Sequence, residues 1–323
     1  MNLAEIHFHN QLSEDKFPTM AEEVLAGLTS KPKYCSPKYL YDQKGSELFE
    51  KICELPEYYP TRTEEAILTD AMAEIAALAG EDATLVEFGS GASRKVRLLL
   101  ESLSIKRYLG IDISREFLIE STRRLAADYP WLEVHAACAD FTRNVALPEA
   151  IEPKRLVGFF PGSSIGNFTP AAAEGFLNSL HRLLRPGSGL LIGVDLVKDH
   201  KTLEAAYNDE QGLTAEFNLN LLDRLKREMG LAFHRERFRH RAFFNAKKSR
   251  IEMHLESRIA QVLQLNGHTI RFREGESIHT ENSYKYSVPG FQRLAVRAGF
   301  ASRKVWIDDQ GLFSVHYLTT SPS

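Results

Sequence analysis

The sequence predicts an α/β fold: a seven-stranded, mostly parallel sheet with helices on both faces, joined by a second, smaller α+β lobe. Three observations predict it. From about residue 64 to residue 195, short apolar runs alternate with amphipathic stretches, the signature of parallel strands linked by helices. The run Thr84-Leu85-Val86 closes on Glu87-Phe88-Gly89-Ser90-Gly91, a buried strand ending in a glycine turn. Between His200 and Tyr284 the rhythm changes to helix followed by paired strands, which does not belong to a doubly wound sheet.

Taken in order, residues 64–79 are predicted helical, 84–88 a strand, 93–102 a helix and 107–111 a strand. Residues 115–129 carry apolar Phe117, Leu118, Leu125 and Ala126 at helical spacing and stop before Pro130. Strands at 132–136 and 156–160 follow, then a helix at 171–184 halted by Pro186-Gly187, and a strand at 190–195. A helix at 291–298 and a hairpin of 304–307 with 312–318 complete seven strands. In the second lobe, 203–229 reads as one long helix, 239–244 and 250–265 as strands, and Asn266-Gly267 as a hairpin turn into 268–272. The division expected is 62–199 with 286–323, against 1–61 with 200–285. Ligand sites favour such lobe junctions.

Composition narrows the function classes. At 323 residues and a formal charge of −3, with no dense Lys/Arg run, the chain is not expected to bind nucleic acid. Cys35, Cys53 and Cys138 are scattered and odd in number, as in a reduced cytoplasmic protein without disulfides. No apolar run approaches membrane-spanning length and no signal segment is evident, so no membrane partner is expected. The eleven histidines are dispersed. His7 and His9 flank Phe8 in a start expected to be mobile, with no third ligand nearby in sequence, and metal catalysis is not expected.

Four constellations carry chemistry. After the glycine turn, the strand at 107–111 delivers Asp112, the layout of a nucleoside-binding unit: glycines admit the ligand to the backbone and the carboxylate meets a ribose diol. Ala92-Ser93-Arg94 breaks the G-x-G-x-x-G spacing that a dinucleotide pyrophosphate needs. A cofactor without phosphates, such as S-adenosylmethionine, needs only the first turn and the carboxylate. Asp140-Phe141, after the third strand, adds an acceptor for an exocyclic amine and a ring for stacking. Asn167, in Pro161-Gly-Ser-Ser-Ile-Gly-Asn-Phe168, follows the apolar fourth strand, where strand ends face the ligand crevice. Its amide suits a carboxylate and an amine together, or a helix cap near Thr169-Pro170. Leu55-Pro-Glu-Tyr-Tyr-Pro-Thr-Arg-Thr63 reads as a loop before a helix whose tyrosines either pack or present hydroxyls and π faces to a substrate. Glu281 and Ser283, two apart, point the same way on an extended segment and suit the two nitrogens of an imidazole; alone they read as a solvated loop.

The blocks Leu55-Pro-Glu-Tyr-Tyr-Pro-Thr-Arg-Thr-Glu64, Val86-Glu-Phe-Gly-Ser-Gly91, Gly162-Ser-Ser-Ile-Gly-Asn167, Asp195-Leu-Val-Lys-Asp199, Arg250-Ile-Glu-Met253 and Thr280-Glu-Asn-Ser283 occur in this order. The series closely resembles the L-histidine Nα-methyltransferases of ergothioneine biosynthesis, from about residue 28 to residue 317. The resemblance implies a class I, Rossmann-like methyltransferase fold with a substrate lobe. It implies three methyl transfers from S-adenosylmethionine to the α-amine of L-histidine, giving hercynine, by a cytoplasmic monomer. Carried over by motif, Asn167 and Tyr207 hold the carboxylate and α-amine end, while Tyr58, Glu281 and Ser283 hold the imidazole. Gly162 offers a backbone carbonyl near the amine, and Tyr41, Phe49 and Met253 form the surrounding wall. Gly89, Lys95, Asp112, Asp140 and Phe141 make the cofactor set, with Tyr41 bordering it. No nucleophile is implied, only positioning by Asn167 and Tyr41. Ser164 stands where the family pattern has threonine, a one-methyl departure inside the turn. Alternatives are an N-methyltransferase of another amino acid or small amine, a nicotinamide oxidoreductase, and a sensor without turnover.

Overall fold

Strands Ala83–Phe88, Leu156–Phe160 and Gly189–Asp195 are buried along their whole length, which is why their apolar runs hardly alternate. The computed structural model describes residues 6–12, 18–143, 145–149, 151, 155–184, 186–231, 233–265 and 267–320. It divides into two units: Met1–Leu12 with Pro60–Lys198 and Tyr284–Ser323, and Ser13–Tyr59 with Asp199–Ser283.

The first unit is built on one sheet in the order His7–Asn10, Glu133–Cys138, Ile105–Asp112, Ala83–Phe88, Leu156–Phe160, Gly189–Asp195, Phe313–Thr320, Phe300–Ile307. The first six run parallel, and the C-terminal hairpin adds antiparallel. Successive side chains along a strand reach opposite faces. Leu85, Val157 and Phe159 pack with Val96, Leu99 and Leu125. Val86, Phe88 and Phe160 pack with Phe176, Leu177, Phe291 and Leu294. The chain leaves Ala83–Phe88 toward Ile105–Asp112 on one side and returns to its other side with Leu156–Phe160. That reversal opens a crevice beyond the carboxyl end of Phe88, where the glycine turn begins.

Eight strands stand where seven are predicted. His7–Asn10 is not a mobile start: it pairs parallel with Glu133–Cys138, His7 opposite His135 and Asn10 opposite Cys138. Ile6 and Phe8 cover a small patch formed by Leu118, Ala136 and Cys138. The sequence reading also places residues 1–61 with the second lobe, whereas this strand belongs to the first unit. Two histidines in four residues gave no strand periodicity to detect.

The helix predicted at 64–79 is two helices, Tyr59–Asp70 and Met72–Ala79. It starts within the Pro/Tyr-rich block, with Pro60 in the first turn, where a missing N–H leaves no hydrogen bond unmade. The block is therefore part loop and part helix.

In the second unit, Lys33–Tyr34, Ser277–Tyr284, Arg250–Ser257 and Phe238–Asn245 form a four-stranded sheet in that order. Gln261–Leu265 and His268–Phe272 make a separate antiparallel hairpin. Its turn holds Gly267 at φ 79°, while Asn266 lies outside the described residues. The single strand predicted at 250–265 is thus two. The long helix predicted at 203–229 is also two, His200–Ala205 and Leu213–Met229. The break has a clear cause. Asp209 accepts from the backbone N–H groups of Leu213 and Thr214, both at 2.8 Å, and Gly212 takes φ 72°. A carboxylate on the first free N–H groups starts a new helix rather than continuing an old one. Asp209→Ala is expected to lower stability by about 1 kcal/mol, measured by urea unfolding; an unchanged midpoint would show that the break does not need this cap.

Candidate active site

In the first unit the glycine turn is shaped as a cradle. Gly89 and Gly91 take φ 71° and 48°, and the N–H groups of Gly89 and Ser90 both donate to the Ile111 carbonyl. That anchors the turn to the neighbouring strand, which ends in Asp112. The two carboxylate oxygens of Asp112 accept from Gly91 N–H at 3.0 Å and Ser114 N–H at 2.9 Å. Burial raises the Asp112 carboxyl above its ordinary range, and these N–H groups oppose it. A carboxylate has about four acceptor sites, so those not taken by backbone N–H groups are left for a diol.

The Phe141 ring stands beside Gly89, where a Cβ would touch it at 3.5 Å. Phe160 and Phe176 brace that ring at centroid distances of 5.7 and 6.0 Å. The neighbouring Asp140 is held by Thr142 N–H at 3.1 Å and Arg143 Nε at 3.3 Å. Two open glycines, an anchored carboxylate and a braced ring at one strand end fit a nucleoside bearing no phosphate.

Glu64 is the functional residue that sequence reasoning missed, although the Tyr/Pro block ends on it. Its side chain is fully buried. One oxygen accepts from both Lys95 Nζ and Gly162 N–H, the latter at 2.8 Å. The other oxygen lies over Gly193, where any Cβ would collide with it at 1.9 Å. Lys95 thus has a structural partner, and its ammonium lies 3.7 Å from where a Gly162 Cβ would stand. The signal in sequence is the glycine at 193 inside an otherwise large apolar strand.

The Gly162 turn takes two left-handed residues, Gly162 at φ 76° and Ser163 at φ 56°. Ser163 Oγ accepts from Asp195 N–H at 2.8 Å, which locks the turn to the next strand. Asn167 closes the short helical turn Ser164–Asn167. It does not cap the following helix: Thr169 does, with Oγ1 accepting from Ala172 N–H at 3.3 Å. The capping reading of Asn167 falls away.

Asp195, at the end of its strand, is buried between Lys285 and Lys198, each 2.6 Å away. Burial alone would raise its carboxyl; the two ammonium groups outweigh that and hold it low. Burial brings Lys198 down to about 8.

In the second unit the aromatic residues of the predicted set touch one another. Tyr41 meets Phe49 at 5.6 Å, Phe49 meets Tyr58 at 6.0 Å, and Tyr58 meets Tyr207 at 6.3 Å, each edge-on. Phe217, absent from the sequence-based set, completes the wall at 5.3 Å from Tyr41. Tyr207 Oη donates to Ser283 Oγ at 2.8 Å. Tyr207 sits in the helix break, and its carbonyl lies 2.9 Å from His240 Nε2, whose other nitrogen is 3.0 Å from buried Asn218.

Glu281 and Ser283 are both buried on the strand Ser277–Tyr284, so the solvated-loop reading does not hold. Burial, with Tyr207 and Glu281 among the nearby charges, raises the Tyr58 phenol far above its ordinary range, so it stays protonated. Met253 is buried, and its carbonyl accepts from Thr280 Oγ1 at 3.1 Å.

Glu64→Ala is expected to cost about 3–5 kcal/mol by stranding Lys95, while Lys95→Met in the same chain recovers much of it. Additive losses in urea unfolding would refute the pairing. Burial also lifts the Glu87 carboxyl to about 8, against the Tyr108 hydroxyl donating at 2.6 Å and the Lys95 charge. The folded state therefore holds a proton that the unfolded chain releases near 4.5. That contribution is complete below the lower value and is lost as pH rises through the upper one. Melting temperatures followed across this window should fall in the parent chain and stay flatter in Glu87→Gln.

The family described as histidine-specific methyltransferases, S-adenosylmethionine-dependent, matches residues 20–320. The chain is 41% identical over 303 residues to the histidine N-alpha-methyltransferase of Mycolicibacterium smegmatis, covering 92% of this chain and 93% of that protein. It is 38% identical over 313 residues to the histidine N-alpha-methyltransferase of Mycobacterium tuberculosis, covering 95% and 97%. Ergothioneine biosynthesis protein 1 of Neurospora crassa is 32% identical over 296 residues, covering 85% of this chain and 32% of that longer protein.

Proposed function

We infer the working of the site from one premise: the chain belongs to the histidine-specific, S-adenosylmethionine-dependent methyltransferases. It methylates the α-amine of L-histidine, and the reaction runs to the trimethylated product, hercynine, as the first step toward ergothioneine. The observation that carries the substrate is the buried pair Glu281 and Ser283 with Tyr207 donating to Ser283. The setting is the cytoplasm, in keeping with three free thiols, and none of the described helices is long and apolar enough to cross a membrane.

S-adenosylmethionine supplies an activated methyl group whose departure leaves a neutral thioether, so the protein need not protonate a leaving group. Asp112 would hold the ribose hydroxyls, Phe141 and Asp140 the adenine, and Gly89 would leave the backbone open to both. Lys95, steadied by Glu64, sets a positive charge beside the Gly162 turn for a carboxylate. Asn167 and Tyr207 take the carboxylate and α-amine of histidine, and Gly162 offers its carbonyl to that amine. Met253, Tyr41 and Phe49 close the wall.

On the imidazole side Tyr207 Oη and Ser283 Oγ share a hydrogen bond, and with Tyr207 as its donor Ser283 can give its own proton to a ring nitrogen lone pair. Glu281 accepts from the ring N–H. Tyr58, held protonated, donates and cannot serve as a base near neutral pH. No nucleophile or strong base is required. Holding the amine lone pair in line with the methyl group can supply about 7–11 kcal/mol of the barrier. Aromatic walls tolerate the fixed cation that accumulates over three transfers.

Mass spectrometry of histidine with the cofactor should show mono-, di- and trimethylated α-amine; a methyl on the imidazole would refute the orientation. Glu281→Ala should depress kcat/KM for histidine by at least ~10⁴-fold while cofactor affinity by calorimetry stays near that of the parent. Asp112→Ala should reverse that pattern. Equal loss of both in Glu281→Ala would make the strand structural only.

A further inference from the structure

We propose that His7, Glu133 and His135 form a binding site for one divalent transition-metal ion of the zinc class, tying the edge strand His7–Asn10 to the large sheet. In sequence the histidine pair at 7 and 9 has no third ligand nearby. The fold supplies two. Parallel register sets His7 directly opposite His135, and Glu133 precedes His135 by two residues on the same face. One donor atom from each of the three lies within 4.8 Å of the others.

The arrangement assigns a task to each atom. His135 is buried, its Nε2 is 2.8 Å from Glu133 Oε1, and its Nδ1 is 3.1 Å from His9 Nε2. Nε2 therefore faces the proposed ion, and His9 takes the other ring nitrogen, the outer hydrogen bond that fixes the tautomer of a metal-binding imidazole. The rings of His7 and His9 stack on His135 at 4.6 and 5.4 Å. Arg107 donates to Glu133 Oε2 at 2.9 Å, which orients the carboxylate and directs Oε1 toward the histidines. Its charge weakens cation binding without occupying the facing oxygen.

Two imidazoles and one carboxylate suit zinc, cobalt or nickel rather than magnesium or calcium, which prefer all-oxygen sets. His7 is exposed, so water completes the coordination. Bond lengths of about 2.0–2.1 Å require the donors to draw together, which the exposed His7 ring permits.

A second cluster, Glu252, His254 and His279, meets the same distance limit and has the same donor types, but more positive charge surrounds it. Arg250 places two guanidinium nitrogens on Glu252, at 2.8 and 2.6 Å, on the same oxygen. Arg241 adds further positive charge against His254.

The test uses the full chain freed of any affinity tag. Cobalt is titrated and followed by its visible absorption, then displaced with zinc, with magnesium as the control. One ion per chain is expected, and His7→Gln and Glu133→Gln should each weaken binding by ~10–100-fold. Amide exchange at residues 7–10 should slow when zinc is added. Absence of saturable binding, equal binding in both variants (an adventitious ion only), or loss confined to His254→Gln would each overturn the proposal. A chain that binds no ion but still methylates histidine would separate this failure from any failure of the functional reading.

Discussion

One buried carboxylate organises the catalytic unit. Glu64 leaves the helix Tyr59–Asp70, meets Lys95 of the helix Arg94–Leu100, holds the N–H of Gly162 and rests against Gly193. Four segments far apart in sequence are thus fixed to one another by a single side chain without solvent contact. A carboxylate can be buried only when its charge is answered, and here it is answered by an ammonium and a backbone dipole together. The requirement passes outward. Gly193 must lack a side chain, and the turn after Phe160 must present its N–H inward. The turn that presents this N–H takes two consecutive left-handed residues, Gly162 and Ser163. The turn carrying Asn167 is thus held from two sides, by the Glu64 carboxylate at Gly162 and by Asp195 N–H at Ser163.

The parallel core was readable because burial on both faces leaves near-continuous apolar runs, and Asp112 was readable because a glycine turn needs a carboxylate one strand over. What escaped detection shares a different physics. The break after Ala205 depends on Asp209 reaching forward to two N–H groups, and an aspartate in a polar stretch looks the same whether or not it caps. The strand His7–Asn10 is made by its neighbour: alone it has no periodicity, and Leu118, Ala136 and Cys138 give Phe8 somewhere to go. Phe217 was hidden because an apolar residue on an amphipathic helix reads first as core. Glu64 was hidden because a glutamate early in a helix reads as a surface charge.

The site's charges follow a common rule. Asp195 sits between Lys198 and Lys285, Glu64 pairs with Lys95, and Glu87 is pushed toward its neutral form with Tyr108 as donor. These buried carboxylates of the first unit are thus paired or held toward neutrality, so none stands as a strong base. That suits a reaction whose demand is geometric. A free strong base would serve little purpose near an amine that must lose its proton only once per transfer, and an unpaired anion would bind the cationic cofactor or product too well.

Glu281 differs from these carboxylates in what it faces. It shares its strand face with Ser283, and Ser283 already receives the Tyr207 proton. In the proposed binding mode this pattern, an acceptor beside a donor at the spacing of two strand residues, meets the two nitrogens of a neutral imidazole. In the proposed binding mode an indole, with an N–H but no lone pair, would match only the carboxylate, and a phenyl ring would match neither group. In that binding mode, discrimination would arise less from attraction to histidine than from the cost imposed on its rivals. Tyr207 lies in the capped helix break, where His240 meets its carbonyl and Asn218 in turn meets His240, leaving its hydroxyl on Ser283.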